Sequence, residues 1–184
     1  MPIGSVASSL PAELHERLER YGVQGKLRLR RAEDNGAAGG ALEASLEDLS
    51  ISLPPEEGGL ALTGVRGKLV FPEGGQTVLL SEIAGRVAQL PGASFTVRGR
   101  YDSRDPDGPF EVDLAARSVP LPAGEGLAGP LKQMLDVVER TFRLRGALDA
   151  DVHIVRLADD QLHWTGVIRP AGMSTGRSAA IVGV

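Results

Sequence analysis

The chain of 184 residues contains no cysteine. That absence excludes disulfides, thiolate nucleophiles and thiolate-bound metals together, and it is compatible with a reducing or an oxidising compartment. Aromatic residues make up 4% of the chain, with one Trp, two Tyr and four Phe, so a core must be aliphatic. No run approaches the roughly 20 apolar residues of a spanning helix. The opening Met1-Pro2-Ile3-Gly4-Ser5-Val6 has no apolar signal-peptide centre, so any export signal or anchor is expected upstream of this segment. No basic block stands out either: 20 Lys and Arg stand against 24 Asp and Glu, a formal net charge of −4. Nucleic-acid binding therefore lacks its electrostatic footprint and is not expected.

What the chain does have is turn chemistry. It carries 24 Gly and 12 Pro beside an ordinary 42% of hydrophobic residues, a balance that suits many short strands better than a helical bundle. Residues 9–21 read as an amphipathic helix, capped by Ser9, with Pro11 in its first turn, Leu10, Leu14 and Leu18 on one face, and Gly22 as its stop. The period then changes to two. Leu27 and Leu29 alternate with Lys26, Arg28 and Arg30, and Leu42, Ala44 and Leu46 with Glu43, Ser45 and Glu47. Leu49, Ile51 and Leu53 continue one residue out of phase, which predicts a β-bulge near Glu47-Asp48. Further strands are expected at 60–62, 65–71, 77–80, 83–90, 94–101 and 110–116, divided by Pro- and Gly-rich turns. Links this short require an antiparallel meander, since parallel neighbours need crossovers of about a dozen residues. A second helix is expected at about 127–141, with Leu127, Leu131, Leu135 and Val138 on one side, followed by strands through Leu148, Val152 and Ile154 and over 162–168.

The order of these elements repeats. An offset of 121 residues, from Gly25 to Gly146, places Leu131 on Leu10, Leu135 on Leu14 and Leu148 on Leu27. An offset of 119 then lays Ile181-Val182-Gly183-Val184 over Leu62-Thr63-Gly64-Val65. The expected organisation is a flexible lead-in at 1–8, a first unit at 9–122 and the start of a second at 123–184, within a longer repetitive protein. At about 4.8 Å per strand, eight or nine strands per unit would advance an apolar groove by about 40 Å.

The helix Leu10-Pro11-Ala12-Glu13-Leu14…Leu18…Tyr21-Gly22 leading into Val23-Gln24-Gly25-Lys26-Leu27 resembles the bacterial AsmA-like and TamB-like envelope proteins. So do Leu46-Glu47-Asp48-Leu49-Ser50-Ile51, Leu62-Thr63-Gly64-Val65-Arg66-Gly67-Lys68-Leu69 and Phe95-Thr96-Val97-Arg98-Gly99-Arg100-Tyr101. The likeness covers most of 9–184 as a pattern of spacing, without an invariant motif. It implies a mainly β fold: an extended, curved antiparallel sheet with an apolar inner face, interrupted by two short amphipathic helices. It further implies a periplasmic protein anchored in the inner membrane by a segment not present here. Such a protein would carry phospholipid acyl chains towards the outer membrane, with neighbouring repeats of the same chain as its other partner. The residues expected to face lipid are Leu42, Leu46, Ile51, Leu69, Phe71, Leu80, Phe95, Val97, Val112 and Leu114. The same alternation also describes a half-buried sheet against its own core. A structural or protein-binding repetitive β-protein without ligand, and a self-contained lipid-binding domain with a closed cavity, are the alternatives.

Motifs for chemistry are weak. Gly124-Glu125-Gly126-Leu127-Ala128-Gly129 matches G-x-G-x-x-G, but a dinucleotide site needs a buried strand running into it. The preceding Val119-Pro120-Leu121-Pro122 carries two prolines, which argue against a central strand. His153 and His163 with Asp151 could be drawn as metal ligands, yet Asp151 and His153 alternate with Val152 and Ile154 and so belong to the polar face. Asp105-Pro106-Asp107-Gly108 is too short for an EF-hand and reads as a type I turn. Trp164 reads as a packing anchor of a late strand. No catalytic residues, cofactor or metal are expected.

Overall fold

The computed structural model describes residues 19–31, 41–54, 59–72, 77–102, 108–121, 127, 129–142, 145–157, 161–171 and 179–183. They form one antiparallel sheet of nine strands in strict sequence order. These are β1 (Gln24–Arg31), β2 (Leu42–Ser52), β3 (Ala61–Phe71), β4 (Thr77–Val87), β5 (Ser94–Asp102), β6 (Phe110–Leu121), β7 (Gly146–Arg156), β8 (Leu162–Ala171) and β9 (Ala179–Gly183). A helix, α1 (Gly129–Phe142), joins β6 to β7. The sheet is open and only weakly curved, with β1 and β9 at its edges, so the closed-cavity arrangement is not formed by the described residues. Of the helix expected at 9–21, residues 9–18 lie outside the described residues, and 19 and 20 are helical.

Eight strands were expected within residues 27–116, and the structure has six between Gln24 and Leu121. The difference has one cause. Segments that look separate in the sequence, such as 60–62 with 65–71 and 77–80 with 83–90, are single strands of 11 residues interrupted by bulges. An extra residue is inserted in β2 at Asp48, in β3 at Gly64, in β4 at Glu82 and in β6 at Ser118, where the backbone turns left-handed (φ of 53°, 60°, 51° and 55°). Each insertion coincides with a shift in the pairing register. The bulge expected near Glu47-Asp48 is the first of these. Six strands advance a groove by about 29 Å rather than 40 Å.

Pro120, read with Pro122 as arguing against a central strand, lies inside β6, and the reason is local. β5 stops pairing at Ser94 opposite Arg117, so beyond that point β6 bonds only β7. Locally it is an edge, where a missing N–H costs no ladder bond.

Cross-strand partners share a face, and the register therefore sorts every strand residue. One face carries Leu27, Leu46, Val65, Ile83, Val97, Leu114, Val152 and their aliphatic neighbours; the other carries nearly all the charges. α1 packs on the dry face at the end where β6 finishes and β7 begins. There Leu135, with Leu127, meets Val119, Leu121 and Leu148, all buried. Leu90 and Ala93 of the β4–β5 turn complete this cluster. The turn is held by backbone bonds from Leu90 to Val87 and from Ala93 to Leu90, and Gln89 bridges it to Gly59 and Ala61. Pro130 suits the first helical turn of α1, and Arg140 in the last turn complements the helix dipole. A smaller core lies around Leu49 and Val65.

The repeat-equivalent glycines share a backbone state: Gly25 opens towards β1 at φ 129° and Gly146 begins β7 at φ 118°. The sheet continues without interruption past residue 122, because β6 pairs directly with β7. Gly99 shows how tightly the strands approach. Its φ is 154°, and an added Cβ would stand 2.1 Å from the carbonyl oxygen of Glu111. Gly99→Ala is expected to lower stability by about 2 kcal/mol or more, read by urea unfolding; an unchanged midpoint would show that β5 and β6 can separate at this point.

Candidate functional site

The dry face is the feature of the molecule that its own structure leaves unexplained. All ten sequence-selected residues lie on it. Leu42, Leu46 and Ile51 come from β2, Leu69 and Phe71 from β3, Leu80 from β4, Phe95 and Val97 from β5, and Val112 and Leu114 from β6. They do not share one environment. Leu46, Ile51 and Phe95 pack against the Leu49–Val65 cluster. The Phe95 ring lies over Gly85, where a Cβ would be 2.8 Å from its Cζ. Leu69, Phe71, Leu80, Val97, Val112 and Leu114 are half-buried, and Leu42 is 42% exposed.

Coverage varies along the strands. At the α1 end the dry face is sealed, with Leu121 and Leu148 at 5% and 3% exposure. At the opposite end Leu29, Leu42, Tyr101 and Leu162 are among the most exposed large hydrophobic side chains of the described residues, while Val78, beside Tyr101, is buried at 1%. Between them lie half-buried positions of β3 to β8, including Ile154 and Trp164, which are not among the ten. Their signal was the alternation of β7 and β8, the same one that identified Val97 and Leu114.

Among the described residues no second sheet covers this surface, and α1 covers only one end of it. None of the described helices is long and apolar enough to cross a membrane.

The wet face is a ladder of complementary charges. Arg28 meets Glu47 at 2.9 Å, Lys68 meets Glu43 at 3.1 Å, Arg98 meets Glu82 at 2.5 Å and Arg100 meets Glu111 at 2.8 Å. Asp151 is gripped by Arg117 at 2.5 Å and by Arg169 from the other side. His153 Nδ1 lies 2.7 Å from Asp113 Oδ1. A groove of about 790 Å³ runs along this face past Thr96, Arg98, Asp113, Asp151, His153 and Thr165. Its charged groups are already paired within the ladder or to Glu82, so it presents a self-satisfied surface. The possible metal set is not assembled: His153 stands opposite Thr165, His163 opposite Val155, and Asp151 is taken by two guanidinium groups. No group of three potential metal ligands occurs among the described residues.

Comparison with family models, with curated proteins and with solved structures finds nothing that matches this chain.

The Arg117 guanidinium, with Arg169 second, holds the Asp151 carboxyl below its ordinary value. The folded state therefore favours the carboxylate. That stabilisation is present at neutral pH and is lost as pH falls below about 4, through the lowered folded value. Asp151→Asn is expected to be less stable than the parent at pH 7 and to converge on it in acid. Thermal unfolding across pH checks this, and a stability difference that stays constant down to pH about 2 would contradict it.

Proposed function

We propose that the dry face holds the acyl chains of membrane lipid, in a segment of a periplasmic, envelope-spanning protein that conducts phospholipid between the inner and outer membranes or serves outer-membrane biogenesis. Its anchor would be supplied by a part of the protein outside this segment. The observation that supports the reading is the half-open aliphatic surface running from β2 to β8, covered among the described residues chiefly where α1 sits. The spacing resemblance to AsmA-like and TamB-like proteins points the same way.

Magnitudes bear on what such a surface would do. A buried methylene contributes about 0.8 kcal/mol, but an open face covers only about half of a chain lying on it. About ten methylenes then give about 4 kcal/mol, a millimolar hold, and a two-chain lipid gives about 8 kcal/mol, a micromolar one, before ordering costs. A face like this retains diacyl lipids and releases single-chain ones, and without deep polar contacts it lets them slide.

The test is native mass spectrometry of the chain exported to the periplasm and purified without detergent. Diacyl phospholipid is expected to co-purify, and single-chain fatty acid is not. Leu42→Asp, at an exposed position, and Val97→Asp, at a half-buried one, are expected to cut the bound lipid about tenfold or more with the circular dichroism spectrum unchanged. A folded protein with no lipid in any preparation would overturn the reading and leave the face as a docking surface for other protein.

A further inference from the structure

We propose that the wet face carries a binding site for a phosphate dianion, free or as a monoester, between Arg66 of β3 and Arg86 of β4. The site lies on the opposite side of the sheet from the dry face and does not depend on the acyl-chain reading. Its two arginines stand apart from the other cations around them. Among the described wet-face residues of β3 to β8, Lys68, Arg98, Arg100, Arg117 and Arg169 each hold a carboxylate. Arg66 and Arg86 hold none.

Register brings these two together. Arg66 stands opposite Ala84, and Arg86, two residues further along β4, stands opposite Thr63. They are therefore diagonal neighbours, with Cβ atoms about 7 Å apart, so both guanidinium groups can reach one point above Ala84. Like charges so placed repel each other. Glu82, the acid of the same strand, is already bonded to Arg98. An anion seated between the arginines removes the repulsion.

Both line a groove of about 820 Å³ together with Asp48, Thr63, Ser94 and Thr96. Ala84 and Gly64, with little or no side chain, keep its floor low. Ser94 is opposite Arg86 and Thr96 is opposite Ala84, which sets two half-buried hydroxyl groups beside the guanidinium pair. Planar forks and hydroxyl donors suit an oxyanion, and a phosphate dianion neutralises both cations where a carboxylate neutralises one. Asp48 is the one carboxylate of the groove. It lies over Gly64, its Oδ1 3.9 Å from where a Cβ would stand, and it forms no ion pair with either arginine. Its charge works against the anion.

Calorimetric titration of the full chain at about pH 8 and constant ionic strength tests the site, with inorganic phosphate, glycerol 3-phosphate and acetate as probes; a phosphate monoester is a dianion at that pH. Both phosphates are expected to bind once per chain, about tenfold more tightly than acetate. Equal affinity for the two supports a seat for phosphate itself, and tighter binding of the ester supports a seat for an esterified one. All four variants below alter exposed side chains. Arg66→Gln and Arg86→Gln should each weaken phosphate about tenfold. Asp48→Asn, which keeps a residue type that tolerates the left-handed backbone, should tighten it. Arg30→Gln removes the same charge from the wet face of β1 and should change nothing. An absence of saturable binding by either phosphate would overturn the proposal. So would equal affinity for phosphate and acetate, or an equal loss in Arg30→Gln and Arg86→Gln, since either result marks general attraction to basic surface.

Discussion

In a β-strand, consecutive side chains point to opposite faces, so an odd number of extra residues exchanges inside for outside along the rest of the strand. Everything here depends on how that parity is kept through strands of up to 12 residues. Leu42, Ala44 and Leu46 are on even positions, while Leu49 and Ile51 are on odd ones. In an unbroken strand they would point to opposite faces. The left-handed residue Asp48 absorbs the mismatch and returns Leu49 to the side of Leu46. Glu82 does the same between Leu80 and Ile83, and Ser118 between Ala116 and Val119. Non-glycine residues in this conformation each carry a cost of about 1–2 kcal/mol. They persist because losing the correction would turn a whole aliphatic half-strand into water.

The two faces then have different physical tasks. The charge ladder contributes little stability, since exposed ion pairs are worth about 0–1 kcal/mol each. Its pairs are direct or diagonal neighbours, such as Arg100 with Glu111 and His153 with Asp113, and they disfavour any slipped register that would set like charges together. Cohesion comes from the aliphatic side, and mostly from two clusters: the one under α1 and the one around Leu49 and Val65. Elsewhere the dry face holds together by lateral contact between neighbouring strands. Burial there is mostly partial, with Ala44 and Val78 as exceptions at 2% and 1% exposure.

Much of this was legible in the sequence, for reasons tied to particular residues. Alternation around Leu27, Leu69, Val97 and Val112 located strands and faces, and short Pro–Gly links gave the meander. The phase break after Leu46 revealed the Asp48 bulge because both flanking runs are strongly alternating. At Gly64 and Glu82 the flanking runs are shorter, so each bulge looked like a turn and one strand was read as two. Pro120 misled because its harmlessness depends on where β5 ends, which is a property of the partner strand. The ten aliphatic positions could be selected, but which are packed, like Phe95 on Gly85, and which are open, like Leu42, follows from neighbours brought in across the sheet.

The non-glycine left-handed residues of β2, β4 and β6 are spaced by 34 residues (82 − 48) and 36 residues (118 − 82), one such residue to each of the first three hairpins. A hairpin brings the chain back to the side of the sheet from which it set out. Inserting or deleting a whole hairpin therefore leaves the facing of every other strand untouched. The length of such a sheet can drift over evolutionary time, by gain or loss of two-strand modules, while its amphipathic sense is inherited unchanged.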